Sequence, residues 1–203
     1  MRRFNMAFQI ENGVGNGYRA KVDSTFRLHT DAVSRSEREQ AVLLGNCFNI
    51  STGPITLTSA NASAVFYMCY EGEVPFVIEE ILVILGGTTG GAGDALIEIL
   101  KNPSTGTIVS NAVEVNTNTN RDFSSSNVLS GSFYKGTEAD TITNGDIFAK
   151  TTRNSFGTVI AFDGAPIVLR KGNSIAIRYT PPASNTSQSC TVAMTALEEE
   201  TEV

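Results

Sequence analysis

The chain has 203 residues, 41% of them apolar, with 18 glycines and no tryptophan, which is enough apolar side chain for one real core and excludes a disordered chain. Its net charge of −6, from 15 Lys and Arg against 21 Asp and Glu, excludes the domain-wide basic footprint that would hold nucleic acid or an anionic membrane surface. Cys47, Cys69 and Cys190 are odd in number and far apart, which argues against a disulfide framework, and one histidine leaves no zinc-ligand spacing. The three read as small buried hydrophobes in a reducing compartment.

The charge is unevenly spread. Residues 1–40 carry seven basic residues against five acidic ones, leaving eight and sixteen for the other 163. Residues 1–17 are punctuated by Gly13, Gly15 and Gly17 and predict a flexible lead. The polar residues Asn5, Gln9 and Glu11 interrupt any apolar run that a secretion signal would need. No run of 18 apolar residues occurs, so no membrane-spanning helix is predicted. Residues 18–40, YRAKVDSTFRLHTDAVSRSEREQ, have neither a helical face nor a strand alternation. Within them Ser34 followed by Glu37 predicts a short helix near 34–44, entered through a capping box. The first 40 residues therefore read as an extended N-terminal arm and residues 41–203 as the folded domain. The arm has the chemistry of a segment ordered by a partner: apolar anchors at Tyr18, Phe26 and Leu28, and hydrogen-bonding or charged groups at Arg19, Lys21, Arg27, His29, Arg35 and Arg38.

From Gly45 onward, runs of Val, Ile, Phe, Thr and Tyr alternate with turn residues, the pattern of an all-β domain. CFNI, STGP and ITLTS read as strand, turn, strand. SAVFYMCYEGE and PFVIEEILVILGG are long apolar strands, the second bounded by Pro75 and Gly86. ALIEILKN, PSTG and TIVSN predict a hairpin, with Ala95, Ile97 and Ile99 on one face and Glu98 between Leu96 and Leu100 on the other. NTNTNRDFSSSN reads as a loop, and further strands follow at VLSGSFY, DIFAKT, FGTVIAF, PIVLRKG, SIAIRYT and SCTVAMTALEEE. Eight to ten antiparallel strands with no intervening helices predict a two-sheet sandwich.

Chemistry-bearing motifs are weak. GGTTGGAGDA places Asp94 where a phosphate-binding loop needs Lys, and ALIEIL after it reads as strand where a dinucleotide site needs a helix. Glu79 and Glu80, as neighbours in a strand, are expected on opposite faces and unable to share a substrate. Asp140 and Asp146 lack the spacing of a calcium loop, and no serine sits in a nucleophile elbow. The reading is of a protein with no catalytic residues, no metal, no cofactor and no small-molecule substrate. A cupin-like enzyme, which would share a β-sandwich, needs more histidines than His29 supplies.

KGNSIAIRYTPPASNTSQSCTVAMTAL, with CFNISTGPITLTSANASAVFYM, resembles the closing and opening halves of jelly-roll proteins of tailed-phage virions, most nearly the decoration, or cement, proteins of phage heads. The likeness spans roughly residues 41–197. It implies an all-β jelly-roll sandwich with an N-terminal arm and a non-enzymatic role. It also implies a homotrimer that is assembled in the host cytoplasm and seated on the outer capsid surface, where it locks the major capsid protein. The alternative is a receptor- or glycan-binding module of the fibre or tail, using loops such as 116–127, whose one aromatic is Phe123.

Overall fold

The computed structural model describes residues 21–22, 28–29, 36–89, 94–111, 113–115, 120–153, 157–162, 165–183 and 187–199. The chain divides into two compact units, Met1–Ser36 and Glu37–Val203. In the first, β1 (Lys21–Val22) and β2 (Leu28–His29) pair antiparallel, with Lys21 opposite His29. The division falls at Ser36, four residues before the boundary that charge alone suggests.

The second unit opens with α1 (Glu37–Leu43), inside the span predicted for a helix. Ser34 lies outside the described residues. Ser36 stands just before the first helical residue with Glu39 three positions on, so the capping-box spacing is met two residues later than expected. Gly45, at φ +72°, ends the helix, and the amides of Leu44, Gly45 and Asn46 donate back to the Gln40, Val42 and Ala41 carbonyls.

The twelve strands that follow build two six-stranded antiparallel sheets. One holds, in order, β10 (Asp146–Arg153), β7 (Ala95–Lys101), β13 (Ser174–Thr180), β5 (Ser63–Tyr70), β9 (Gly131–Lys135) and β8 (Val113–Glu114). The other is ordered β11 (Gly157–Phe162), β6 (Phe76–Thr89), β14 (Ser187–Glu198), β3 (Cys47–Ser51), with β12 (Ile167–Leu169) also on β6 and β4 (Ile55–Leu57) also on β14. The pairing is nested in sequence: β3 and β4 pair with β14, β5 with β13, β6 with β11 and β12, and β7 with β10. Consecutive strands change sheet at β4 to β5, β5 to β6, β6 to β7, β10 to β11, β12 to β13 and β13 to β14.

Alternation explains why the sheets stack. Phe48 and Ile50, Phe66 and Met68, Ile97 and Ile99, Ile175, Ile177 and Tyr179, Val192 and Met194 come from both sheets and join one buried cluster, each large side chain adding about 1.5–3 kcal/mol when it leaves water. The outer faces are also partly covered. Ala41 and Val42 of α1 pack with Cys47, Val77 and Leu197 over the second sheet. Ala176, on the outer face of β13, is buried because it packs with Ile108, Ile142, Tyr67 and Leu100 over the first.

Ile108 belongs to the main departure from the expected elements. TIVSN is not the second strand of a hairpin but the helix α2 (Thr107–Asn111), so a helix does lie between strands. Its β-branched residues yield to tertiary burial: Ile108 is fully buried, Gly106 breaks the chain at φ +144°, and the Thr107 hydroxyl donates to Asp140 Oδ1 at 2.7 Å. The partners of β7 are β10 and β13 instead. Among the described residues, no helix is long and apolar enough to cross a membrane.

Candidate functional site

Glu98 is the most deeply buried charge among the described residues, 4% exposed on the outer face of β7. The register sets Arg178 of β13 on one side of it and Lys150 of β10 on the other. Both Nε and the terminal nitrogen Nη2 of Arg178 lie 2.7 Å from Glu98 Oε2, and Lys150 Nζ lies 3.6 Å from Oε1. Burial opposes ionisation of Glu98, but the hydrogen bond and charge of Arg178, then of Lys150, outweigh it and hold the carboxyl below its ordinary range. The cluster ties three strands, β7, β10 and β13, together.

A second charged corner lies by α1. Arg38 Nε reaches Glu79 Oε2 at 3.4 Å. Glu79 is the extra residue of a β-bulge: Thr195 of β14 opposes Glu80 and Ala196 opposes Ile78. Ile78 and Ile81 both point into the core, so Glu79 and Glu80 both stay on the side away from it. The expected opposite-face arrangement is thus replaced by two carboxylates on one face, one of them held by Arg38. Nearby, burial pushes the Cys47 thiol up, with Arg121 partly offsetting it. Cys190, wholly enclosed, is pushed up to about 12 by burial alone. Cys47 and Cys190 are buried as expected, and Cys69 is half-buried, its thiol 3.5 Å from Glu71 Oε1. Among the described residues, no group of His, Cys, Asp or Glu is arranged to hold a metal ion.

Glu138 ties the loop before β5 to the segment after β9. Its Oε1 accepts the amides of Ser59 and Thr58 at 2.6 and 2.9 Å, and its Oε2 accepts the Thr58 hydroxyl at 2.7 Å. These bonds, those of Ser59 first, hold its carboxyl down to about 2. Because the folded value lies below the ordinary 4.5, the stabilisation is complete above pH 4.5 and is lost as pH falls toward 2. Glu138→Gln is expected to lower the unfolding midpoint at neutral pH and to flatten its decline between these values. Urea titrations at stepped pH check this; an unchanged pH slope contradicts it.

Most of the exposed large apolar side chains among the described residues lie in two places. Leu43 and Leu44 end α1, and Phe123 and Val128 sit on the loop that docks against it, where Asn120 and Asn127 donate to the Gly45 carbonyl. Phe123 is 99% exposed. The other place is an open cleft of about 450 Å³ at one end of the sandwich, floored by Ile99, Ile175 and Leu169, walled by Phe148 and Val168, with Lys101 at its rim.

Of the predicted partner-binding residues, Lys21 and His29 face each other across the β1–β2 ladder. Arg38 belongs to the helix of the sandwich unit and is paired with Glu79. Tyr18, Arg19, Phe26, Arg27 and Arg35 lie outside the described residues. The cleft was not foreseen. Its walls come from β7, β10, β12 and β13, and only the exposed Phe148 and Val168, one on each of two short apolar runs, gave any signal in the sequence. No protein-family model and no curated protein matches the chain.

Proposed function

We propose that the chain is a non-enzymatic structural protein of a virus particle, a decoration or cement protein. In this reading it sits as a homotrimer on the outer capsid surface and locks neighbouring copies of the major capsid protein. The observation that carries this reading is the strand order. Nested pairing of β3 and β4 with β14, β5 with β13, β6 with β11 and β12, and β7 with β10 is what results when one long hairpin rolls into a sandwich, and it supports a jelly roll. The fold alone does not imply a role, since lectin domains and cupins share it. The resemblance to phage-head proteins, which spans the sandwich, narrows it, and the one buried charge among the described residues, Glu98, braces three strands.

The N-terminal residues form a unit of their own, which supports an arm that contacts a neighbour. Such an arm adds weak contacts made simultaneously with those of the sandwich, so its effect on retention exceeds the strength of any one of them. Assembly would take place in the host cytoplasm, where free thiols such as Cys69 persist.

One observation favours a second reading, a glycan-binding module of the fibre or tail: the full exposure of Phe123 on a loop tip offers the aromatic platform that sugars stack on. Co-sedimentation with purified heads of the encoding virus separates the two. Saturable binding to heads supports the decoration role; glycan-array binding with no retention on heads replaces it.

A further inference from the structure

We infer that copies of this chain meet head to tail, with the Phe123 loop of one copy seated in the cleft of the next. The number of copies, three, rests on the homotrimer of the proposed function; the contact itself does not.

Phe123 is 99% exposed, yet the loop that carries it is built to hold it still. The Asn120 and Asn127 side chains both donate to the Gly45 carbonyl, and the Arg121 amide donates to the Cys47 carbonyl. Inside the loop, the Asp122 amide donates to Asn120 Oδ1 at 2.8 Å, the Ser124 amide to Asp122 Oδ1 at 2.9 Å and the Asn127 amide to Ser125 Oγ at 3.1 Å. A side chain at Gly45 would collide with Ser125 Oγ, so the loop lies directly on the end of α1. An aromatic ring left in water on a fixed backbone does nothing for the core, and it suits an anchor whose ordering precedes binding.

The same molecule carries a matching hollow. The cleft of about 450 Å³, with Ile99, Leu169 and Ile175 beneath and Val168 at its wall, is an apolar receptor in the size range of binding pockets. Its position keeps it from taking its own Phe123. One register row runs Ile167, Ile78, Ala196, Phe48, Asn120 across β12, β6, β14 and β3. Ile167 lines the cleft and Asn120 opens the loop, so the two features sit on opposite edges of the sandwich, four strand spacings or about 19 Å apart. An apolar projection on one edge and an apolar hollow on the other make a heterologous contact, which repeats from copy to copy and ends where the ring closes.

Charge agrees with this occupant. Lys101 is the one charged residue among the described residues that line the cleft. On the loop, Arg121 hydrogen-bonds the Cys47 thiol, which leaves Asp122 as the charge beside Phe123. The Ser124 amide holds Asp122 through Oδ1, and a carboxylate has further lone pairs for an ammonium at the cleft rim. Such an exposed pair adds little strength but fixes the direction in which the loop enters.

Sedimentation velocity and native mass spectrometry of the full chain over a range of concentrations give the test. A trimer that dissociates on dilution is expected. Phe123→Asp and Val168→Asp, both at exposed positions, should each weaken association by about thirtyfold or more while keeping the wild-type far-ultraviolet circular dichroism. Mixed one to one, the two variants should pair as a heterodimer and stop there, because one copy keeps its cleft and the other its loop. Asp122→Asn, which keeps the acceptor for the Ser124 amide, and Lys101→Met should each weaken association by at most about fivefold. Together they should weaken it no further than either alone. Failure of the mixture to pair, additive effects at Asp122 and Lys101, or a trimer indifferent to Phe123→Asp would overturn the contact and leave the homotrimer standing. A chain that stays monomeric at every concentration would overturn both.

Discussion

Deleting residues 1–36 is expected to leave a folded sandwich that no longer stays on capsids. Every element from α1 to β14, and each of the three apolar clusters, lies within Glu37–Val203, so the truncated chain keeps its entire core. Its cooperative unfolding should shift little. Retention on heads should fall by about a hundredfold or more, because removing one of several linked contacts forfeits the effective concentration that the others provide. Co-sedimentation at stepped salt gives the readout. The basic residues Arg19, Lys21, Arg27 and Arg35 of the deleted segment predict that binding by the full chain weakens as salt rises, whereas the residual binding of the truncated form does so less. Undiminished binding by the truncated chain would remove the arm from the account while leaving the sandwich as the adhesive part.

The second large effect is expected at Glu98. Glu98→Ala leaves Arg178 and Lys150 facing each other across the space between their strands with no counter-charge. Breaking a buried pair by removing one partner costs several kcal/mol, and because Arg178 is 30% exposed, water recovers part of this, leaving a loss of about 2 kcal/mol. Replacing Glu98 and Arg178 together by Met should restore most of it, since the one charge left without its partner, Lys150, is half-exposed and solvated. The folded carboxyl of Glu98 titrates below its ordinary value, so its contribution is complete above the usual carboxylate range and is lost as pH falls through the lowered one. Chemical unfolding of the single and double variants checks this at neutral pH. A double variant as unstable as Glu98→Ala would mean that the ion pair is not what is being lost.

The strands were readable because alternation and turn residues are local signals. Ile175, Ile177 and Tyr179 declare an inward face without any knowledge of their partners, and they do face the core. Which outward residues are also buried is not local. Ala176 needs α2 and Ile142 to cover it, and α2 itself is set by the burial of Ile108 against the preference of TIVSN for a strand. The bulge at Glu79 is likewise invisible in the sequence: it exists because β14 pairs with Ile78 and Glu80 and skips the residue between. One carboxylate in an apolar run, Glu98, signalled a special environment, yet its partners lie 52 and 80 positions further along the chain, at Lys150 and Arg178. The cleft has the same origin. Its residues come from four strands that only the nested pairing brings to one end of the sandwich.

Electron microscopy of intact particles carrying the full chain tests the decoration role most directly. The account predicts density for the sandwich at regular positions on the outer shell, repeating with the capsid lattice and contacting more than one major capsid subunit. Density on the tail or fibres, or no particle-associated density at all, would contradict it.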